Sequence, residues 1–404
     1  MQGHCITDFL GLGAYQFVAL DEDKDRIEIL VETPTMGWRC PCGEALHTLY
    51  DRRPTRAIRA ETVRNKPVFL RVAPKRWGPC GACGRITQEP LPYVGAYARQ
   101  TDGFAEKIRE RALRHPATEV ALEEWLPYSS VRARLAEAID RWEQPRVDWT
   151  CVKRIGIDEF ANKKRHRYYL VIVDLDTHQP IAVLSRRSKI HLKAWLLQIR
   201  DLASTIEAVA IDMWAPYATA VQEVFPKAKT VIDPFHVVKH VIDAMNTVRK
   251  QVQRGIPKSD PRRAELWNLR SKLYANREEL PEKEWRQLDA VLEGHPELKE
   301  AYGLKEEFRS WYRYAGIRAE EGLRLWMRRV KRSALKPFLD AAAMIERWRE
   351  KIVNFFTCGI SNGVTEGINN KIKSIKRACY GRLSFRNLRA RILFNCRGAR
   401  PQPG

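Results

Sequence analysis

Residues 153–184 read KRIGIDEFANKKRHRYYLVIVDLDTHQPIAVL, and three short strands are legible in them. The first, 154–157, is apolar after its leading Arg154 and ends on two acids, Asp158 and Glu159. A basic turn with Lys163, Lys164, Arg165 and Arg167 leads to the second, 168–173, which is nearly all β-branched or aromatic. The third, 181–184, follows a turn at Asp176 and Thr177. Such runs between turn residues predict an antiparallel meander. The first strand then delivers a carboxylate at its exit beside a basic loop, where a hydrolytic metal site can begin. A single acid there is more often a solvated strand end, so the weight falls on the rest of the chain.

Downstream, the pattern predicts a helix (189–202), a buried strand (207–211) and then Asp212. A helix (214–224) and a strand (229–232) follow, ending on Asp233, Pro234, Phe235 and His236. The order is β-β-β-α-β-α-β with Asp at the exits of the first and fourth strands. That is the topology of an RNase H-like domain, whose parallel neighbours bring the two strand ends together. Residues 237–355 read as helix throughout, with Trp267, Trp285, Trp311, Trp326 and Trp348 spread along them, and predict an all-α insertion.

The chain returns to the site at Ser361-Asn362-Gly363-Val364-Thr365-Glu366. Asn362 is placed to cap a helix running to about Arg377. Val364, Ile368, Ile372 and Ile375 form its apolar face. Glu366, Asn370, Lys373 and Arg377 are spaced four, three and four apart and share another face. A plain solvated face is the alternative, but it does not explain one acid followed only by bases.

The N-terminal third has a different character. Two strand-like runs (15–20 and 26–32) precede Cys40-Pro41-Cys42-Gly43, and a second pair, Cys80 and Cys83, is again followed by Gly. Two Cys knuckles separated by a β segment present four thiolates as a zinc ribbon does. The alternative is unliganded surface thiols. From Thr101 the pattern turns helical: a stripe of Phe104, Ile108 and Ala112, a short helix at 118–125, then a helix from Ser129 to Trp142. A short helix, a tight turn and a longer helix carrying Arg132 and Arg134 make a helix-turn-helix pattern, which a simple three-helix packing unit would also show.

Composition sets the frame. The 404 residues exceed one compact core. Their formal charge of +22, from 71 Lys and Arg against 49 Asp and Glu, points to a polyanion partner, nucleic acid first. From Lys371 onward there are ten bases and no acid. No run of about 18 apolar residues predicts a membrane span. The N-terminus lacks a signal-peptide pattern, so a cytoplasmic, nucleoid-associated bacterial protein is expected. The nine cysteines, odd in number and mostly scattered apart from the four in the knuckles, argue against a disulfide scaffold.

If the fold reading holds, Asp158, Asp212 and Glu366 converge, and three carboxylates suit Mg²⁺ or Mn²⁺. Two such ions, about 3.5–4 Å apart, serve phosphodiester displacement by water or by a 3′-hydroxyl. The segments GIDEF, AIDMWAPY, VIDPFHVVKH and SNGVTEGINNKIKSIKRACYG resemble the DDE transposases of bacterial insertion sequences. The group with a Cys-rich N-terminal zinc domain and a helix-turn-helix, called ISL3, is the nearest in pattern, and the likeness covers nearly the whole chain. It implies an RNase H-like core interrupted by a helical insertion, metal-dependent DNA cleavage and strand transfer, and recognition of the element's terminal inverted repeats. Partners implied are element-end and target double-stranded DNA and further copies of the chain, with no membrane. By position, Asp158 and Glu366 are the first and last catalytic acids. For the second, strand order favours Asp212 over Asp233, which with His236 forms a D-x-x-H element supporting the site. The C-x-C knuckle departs from the group's usual spacing.

The expected domains are a β-rich zinc-binding domain (1–95), a helix-turn-helix (98–143), a first core segment (150–236), the helical insertion (237–355) and a last core segment with the Glu366 helix and a basic tail (356–404). Binding-only regulation, or a structure-specific nuclease without strand transfer, are the rival readings.

Overall fold

The computed structural model describes residues 7–8, 10–143, 147–163, 167–379 and 383–397. Lys164 and Arg165 of the expected basic turn, and Arg382 and Arg400 of the tail, lie outside them. The chain is mixed α/β and divides into two compact units. One comprises Met1–Gln144 and Lys373–Asn395, the other Pro145–Ile372 and Cys396–Gly404.

The first unit opens with strands β1 (Gln16–Glu22), β2 (Ile27–Glu32), β3 (Trp38–Arg39), β4 (Ala45–Leu46), β5 (Leu49–Arg52), β6 (Arg56–Val63), β7 (Lys66–Val72), β8 (Lys75–Trp77) and β9 (Thr87–Gln88). They pair as a four-stranded sheet β1-β2-β7-β6, a three-stranded sheet β5-β8-β9 and the ribbon β3-β4. Alternate residues of the larger sheet, among them Ile29, Val31, Ile58, Leu70 and Val72, are buried in one apolar cluster. Helices α1 (Asp102–Arg114), α2 (Ala117–Glu123) and α3 (Tyr128–Arg141) follow. Phe104, Ile108, Ala112, Val131, Leu135 and Ala138 meet in their shared core, the apolar stripes the sequence predicts.

The second unit holds one sheet of five strands, β10 (Arg154–Lys163), β11 (Arg167–Asp174), β12 (Gln179–Leu184), β13 (Ala208–Ile211) and β14 (Lys229–Ile232), in the order β12-β11-β10-β13-β14. The predicted meander is present: β10, β11 and β12 pair antiparallel, whereas β13 and β14 run parallel to β10. Helices α4 (Lys189–Ile199) and α5 (Ala215–Val224) supply the crossovers. Alternate β13 residues serve opposite faces: Val209 and Ile211 join the large core with Leu192, Leu196 and Val221, whereas Ala208 and Ala210 pack with Val231 and Ile360.

One boundary differs from expectation in a way that matters. The first strand does not end at Ile157 but runs to Lys163, because β11 continues to pair with it. Its parallel neighbour β13 stops at Ile211. Asp158 is therefore a mid-strand residue standing where β10 loses its partner on one side only.

From Pro234 to Cys358 the chain is helical: α6 (Pro234–Gly255), α7 (Pro261–Asn268), α8 (Arg270–Tyr274), α9 (Glu282–Glu293), α10 (Pro296–Tyr314), α11 (Ala319–Ser333), α12 (Lys336–Arg347) and α13 (Arg349–Cys358). Proline occupies the first turn of α6, α7, α10 and α12, where its missing N–H costs nothing. Trp311 and Trp326 are buried with Phe308, each indole N–H donating to a carbonyl, of Ala319 (2.8 Å) and Leu304 (2.9 Å) respectively. The last helices are α14 (Gly363–Ala378) and α15 (Phe385–Cys396). Residues 356–404, expected as a single closing segment of the core, are divided: Lys373–Asn395 belong to the first unit, where Ala390 and Phe394 pack into the α1–α3 core. Among the described residues, no helix is long and apolar enough to cross a membrane.

Candidate active site

Register brings the acids together. Gly156 of β10 lies opposite Ala210 of β13, and Ile211 opposite Ile232 of β14. Carried on by two residues and by one, those registers set Asp158 beside Asp212 and Asp212 beside Asp233, on strands about 4.8 Å apart. The three acids stand in a row at one end of the parallel part of the sheet.

Their surroundings differ. Asp158 and Asp212 line an open cleft of about 370 Å³ together with Glu159, Arg187, Trp214 and His236. Asp233 is buried, and both its oxygens are engaged: Oδ1 accepts from the backbone N–H of Asn362 (3.0 Å) and Oδ2 is hydrogen-bonded to His236 Nδ1 (3.0 Å). His236 Nδ1 also stands 3.1 Å from Asp212 Oδ1. That oxygen is buried and has no hydrogen-bond partner of its own. The ligand atoms of Asp212, Asp233 and His236 lie within 4.8 Å of one another.

Electrostatics follow from this crowding. Burial, and then the neighbouring Asp212, push the Asp158 carboxyl up to about 6. Burial also raises Asp212, with His236 opposing and Asp233 adding to the rise. The hydrogen bond to Asp233 raises His236, against its burial. Two cleft carboxylates held above their ordinary range, side by side at a strand end, form a donor set that a hard cation fits.

The N-terminal part of α14 packs against the β10 edge of this row. Asn362, expected as a helix cap, sends its side-chain amide to the Ile157 carbonyl (3.2 Å). Asn369 Nδ2 donates to Asp158 Oδ2 (2.7 Å) and to the Glu159 carbonyl (3.3 Å). Gly156 makes the approach possible: a Cβ there would sit 2.9 Å from Asn362 Oδ1, Leu175 Cδ2 and Thr365 Cγ2. Glu366 lies in the first turn of the same helix with an exposed side chain, outside the close group of Asp212, Asp233 and His236. Asn370, Lys373 and Arg377 follow it along the helix.

Sequence reading therefore named Asp158, Asp212, Asp233 and His236, which the structure gathers, and missed Asn369, Arg187 and Tyr217. The available signal for Asn369 was its spacing of seven from Asn362, which places both on one helix face. Asn370, chosen for the ladder with Glu366, is the next residue round.

Elsewhere, Cys40, Cys42, Cys80 and Cys83 form a second group with sulfurs within 4.8 Å of one another. Cys40 Sγ is 3.5 Å from Cys83 Sγ, and Cys42 Sγ is 3.5 Å from Cys80 Sγ. Four thiolates around tetrahedral zinc at about 2.3 Å stand about 3.8 Å apart, so the quartet fits that ion. The unequal knuckles close alike. Gly43 N–H returns to the Cys40 carbonyl and Gly84 N–H to the Cys80 carbonyl, both at 2.8 Å, with both glycines at positive φ. The one-residue difference between C-x-C and C-x-x-C is absorbed inside the turn. The backbone amide of Cys42 helps hold the Cys40 thiol down to about 7, whereas the neighbouring sulfurs push Cys42 and Cys83 up, as expected of thiols crowded together.

On α3, Arg132 is exposed beside the Tyr128 ring, whereas Arg134 is bound to Glu137 (2.7 Å).

A family model described as "Transposase", for DDE enzymes of the ISL3 type, matches residues 155–392. The transposase for insertion sequence element IS1001 of Bordetella parapertussis is 30% identical over 326 residues, 79% of this chain and 80% of that protein. The transposase for IS1557 of Mycobacterium tuberculosis, in strains CDC 1551 and H37Rv, is 28% identical over 334 residues, 77% of this chain and 75% of the relative. The acid row thus falls inside the region that the family shares, and this chain belongs to the ISL3 family of DDE transposases of bacterial insertion sequences.

Proposed function

We propose that this transposase binds the terminal inverted repeats of its element and performs divalent-metal-dependent phosphodiester cleavage and strand transfer in the cleft between Asp158 and Asp212. The observation that carries the reading is that Asp158 and Asp212, on adjacent parallel strands, both line a cleft open to a ligand, with His236 3.1 Å from Asp212. On this reading the sheet and its helices are an RNase H-like core, the stretch from 237 to 355 is an insertion in it, and α1–α3 are a helix-turn-helix with Arg132 and Arg134 toward DNA. Asp158 and Asp212, with Glu366 from the first turn of α14, would hold Mg²⁺ or Mn²⁺. When bound, the metal supplies the positive charge that activates the attacking oxygen and eases departure of the leaving one. Asn369 fixes the Asp158 carboxylate, and Asp233 fixes both His236 and the start of α14. Attack by water forms one P–O bond as the strand's P–O bond breaks; attack by the freed 3′-hydroxyl on a target phosphodiester forms one P–O bond as the target's own P–O bond breaks, releasing a target 3′-hydroxyl. Lys373 and Arg377 neutralise phosphates along the helix that carries Glu366, and Asn370 offers them a neutral amide donor. The Cys quartet holds structural zinc, which elemental analysis of the purified protein tests.

The deciding experiment incubates the protein with duplexes carrying its element's ends and Mg²⁺, and maps cuts to the nucleotide. Cleavage at the element boundary, lost in Asp158→Asn while end binding persists, is expected. An Asp158→Asn protein that cuts like the unaltered one would overturn the site assignment.

A further inference from the structure

Among the described residues lining the cleft, Arg187 is the one Lys or Arg. It lies just beyond β12, where the chain turns toward α4, and its side chain is half exposed. Two contacts hold it. Nη1 donates to Glu159 Oε2 at 2.9 Å, and the guanidinium lies over the Tyr168 ring, 4.5 Å from its centre. Glu159 is itself fixed, because its other oxygen accepts from the hydroxyl of buried Tyr217 at 2.6 Å. Glu159 also follows Asp158 directly, and its backbone N–H donates to Asp158 Oδ1 at 2.7 Å. The same short piece of β10 thus positions both an acid of the cleft and the cation at its mouth.

A surface ion pair alone contributes little to stability and would not need this scaffold. A guanidinium tied through one nitrogen keeps its remaining N–H groups for a second anion, and its planar fork matches two non-bridging phosphate oxygens. A phosphodiester entering the cleft otherwise meets the carboxylates of Asp158, Asp212 and Glu159.

We propose that Arg187 is the phosphate anchor of the cleft, gripping the phosphodiester to be cut, with Glu159, Tyr217 and Tyr168 as its positioning residues. The proposal rests on the reading of this cleft as the cleavage site. Arg187 sets where the phosphorus sits before any bond changes, and its charge offsets the repulsion the acids would otherwise exert.

The test uses the full chain and a duplex carrying the element's end. Binding is measured first in chelator across a salt series. Arg187→Ala should lower the log–log salt slope by about 0.9, one phosphate contact. Arg187→Lys should keep the slope but cut about 10- to 100-fold more slowly with Mg²⁺, since a point charge lacks the fork. A neutral methylphosphonate at the cut position should lower the slope of the unaltered protein equally and leave that of Arg187→Ala unchanged. Glu159→Gln, which keeps an acceptor for Tyr217 and leaves the Arg187 charge but loosens its hold, should slow cutting by less than Arg187→Ala does, and serves if Arg187→Ala fails to fold; unaltered cutting by Glu159→Gln would then count against the anchor. An Arg187→Ala protein with unaltered slope and cutting, or full additivity with the methylphosphonate, overturns the anchor. Asp158→Asn separates the two ideas: if it cuts normally the cleft assignment falls, whereas if it is dead and Arg187→Ala is normal only the anchor falls.

Discussion

Asp212 and Asp233 stand at adjacent strand ends and are chemically identical, yet only one of them lines the cleft. Asp233 spends both oxygens on Asn362 and His236 and is 7% exposed, whereas the Asp212 side chain is 31% exposed and faces the cleft. A Pro at the first turn of α6 made Asp233 legible as an N-terminal residue of that helix, but only the sheet shows that its carboxylate reaches the start of α14, 129 residues away. Asn369 is the complementary case, an uncharged side chain that orients a charged one. Asn369→Ala removes the 2.7 Å bond to Asp158 and frees that carboxylate to rotate. A hydrogen bond to a charged group contributes about 1.5–3 kcal/mol, so cleavage should slow on the order of tenfold or more. End binding in chelator should be unchanged. Single-turnover cutting at the unaltered rate would remove Asn369 from the site.

At the scale of elements, the site depends on a helix lying close against a strand. β10 meets α14 at Gly156, where Asn362, Leu175 and Thr365 leave no room for a methyl group. Thr365 is fully buried there, and its hydroxyl donates to the Asn362 carbonyl (2.5 Å). Gly156→Val should therefore force α14 outward, costing about 1–3 kcal/mol of stability as overpacking does. Because Asn369 rides on α14, cleavage should fall further than stability explains. Equal stability in urea unfolding, with unaltered cutting, would mean that the helix can shift without harm. The β10–β13 pair is the second such device. Two strands of unequal length, one ending at Ile211 and the other running to Lys163, leave Asp158 unpaired on one side and open to the cleft.

For the whole molecule, the charge of +22 overstates what is offered to a polyanion. Arg391 is 2% exposed and donates to the Leu113 carbonyl (2.9 Å), and Arg386 pairs with Asp140 and Glu143, all within the first unit. Both had been counted in the acid-free tail, so part of that tail is structural. Arg391→Met should lower the melting temperature, since it removes charge-assisted hydrogen bonds to the Leu113 and His115 carbonyls that contribute about 1.5–3 kcal/mol. The salt slope of DNA binding should stay put. A reduced slope with unchanged melting would return Arg391 to the DNA-binding set. Local pattern determined a great deal by itself. Period-two and helical runs gave the meander, the β-α-β-α-β succession and the amphipathic face of α14, because those signals lie within a few residues of one another. The paired Cys knuckles and the motifs around Asp158, Asp212 and Glu366 likewise sufficed for the family. Tertiary structure alone decided that β10 runs past Asp158, since strand length depends on a partner's pairing. It also decided that Asn369 rather than Asn370 meets Asp158, a matter of one 100° step around a helix. The buried ends of Arg391 and Asp233 were decided there too, because hydrogen-bond partners more than a hundred residues away leave no trace in local spacing.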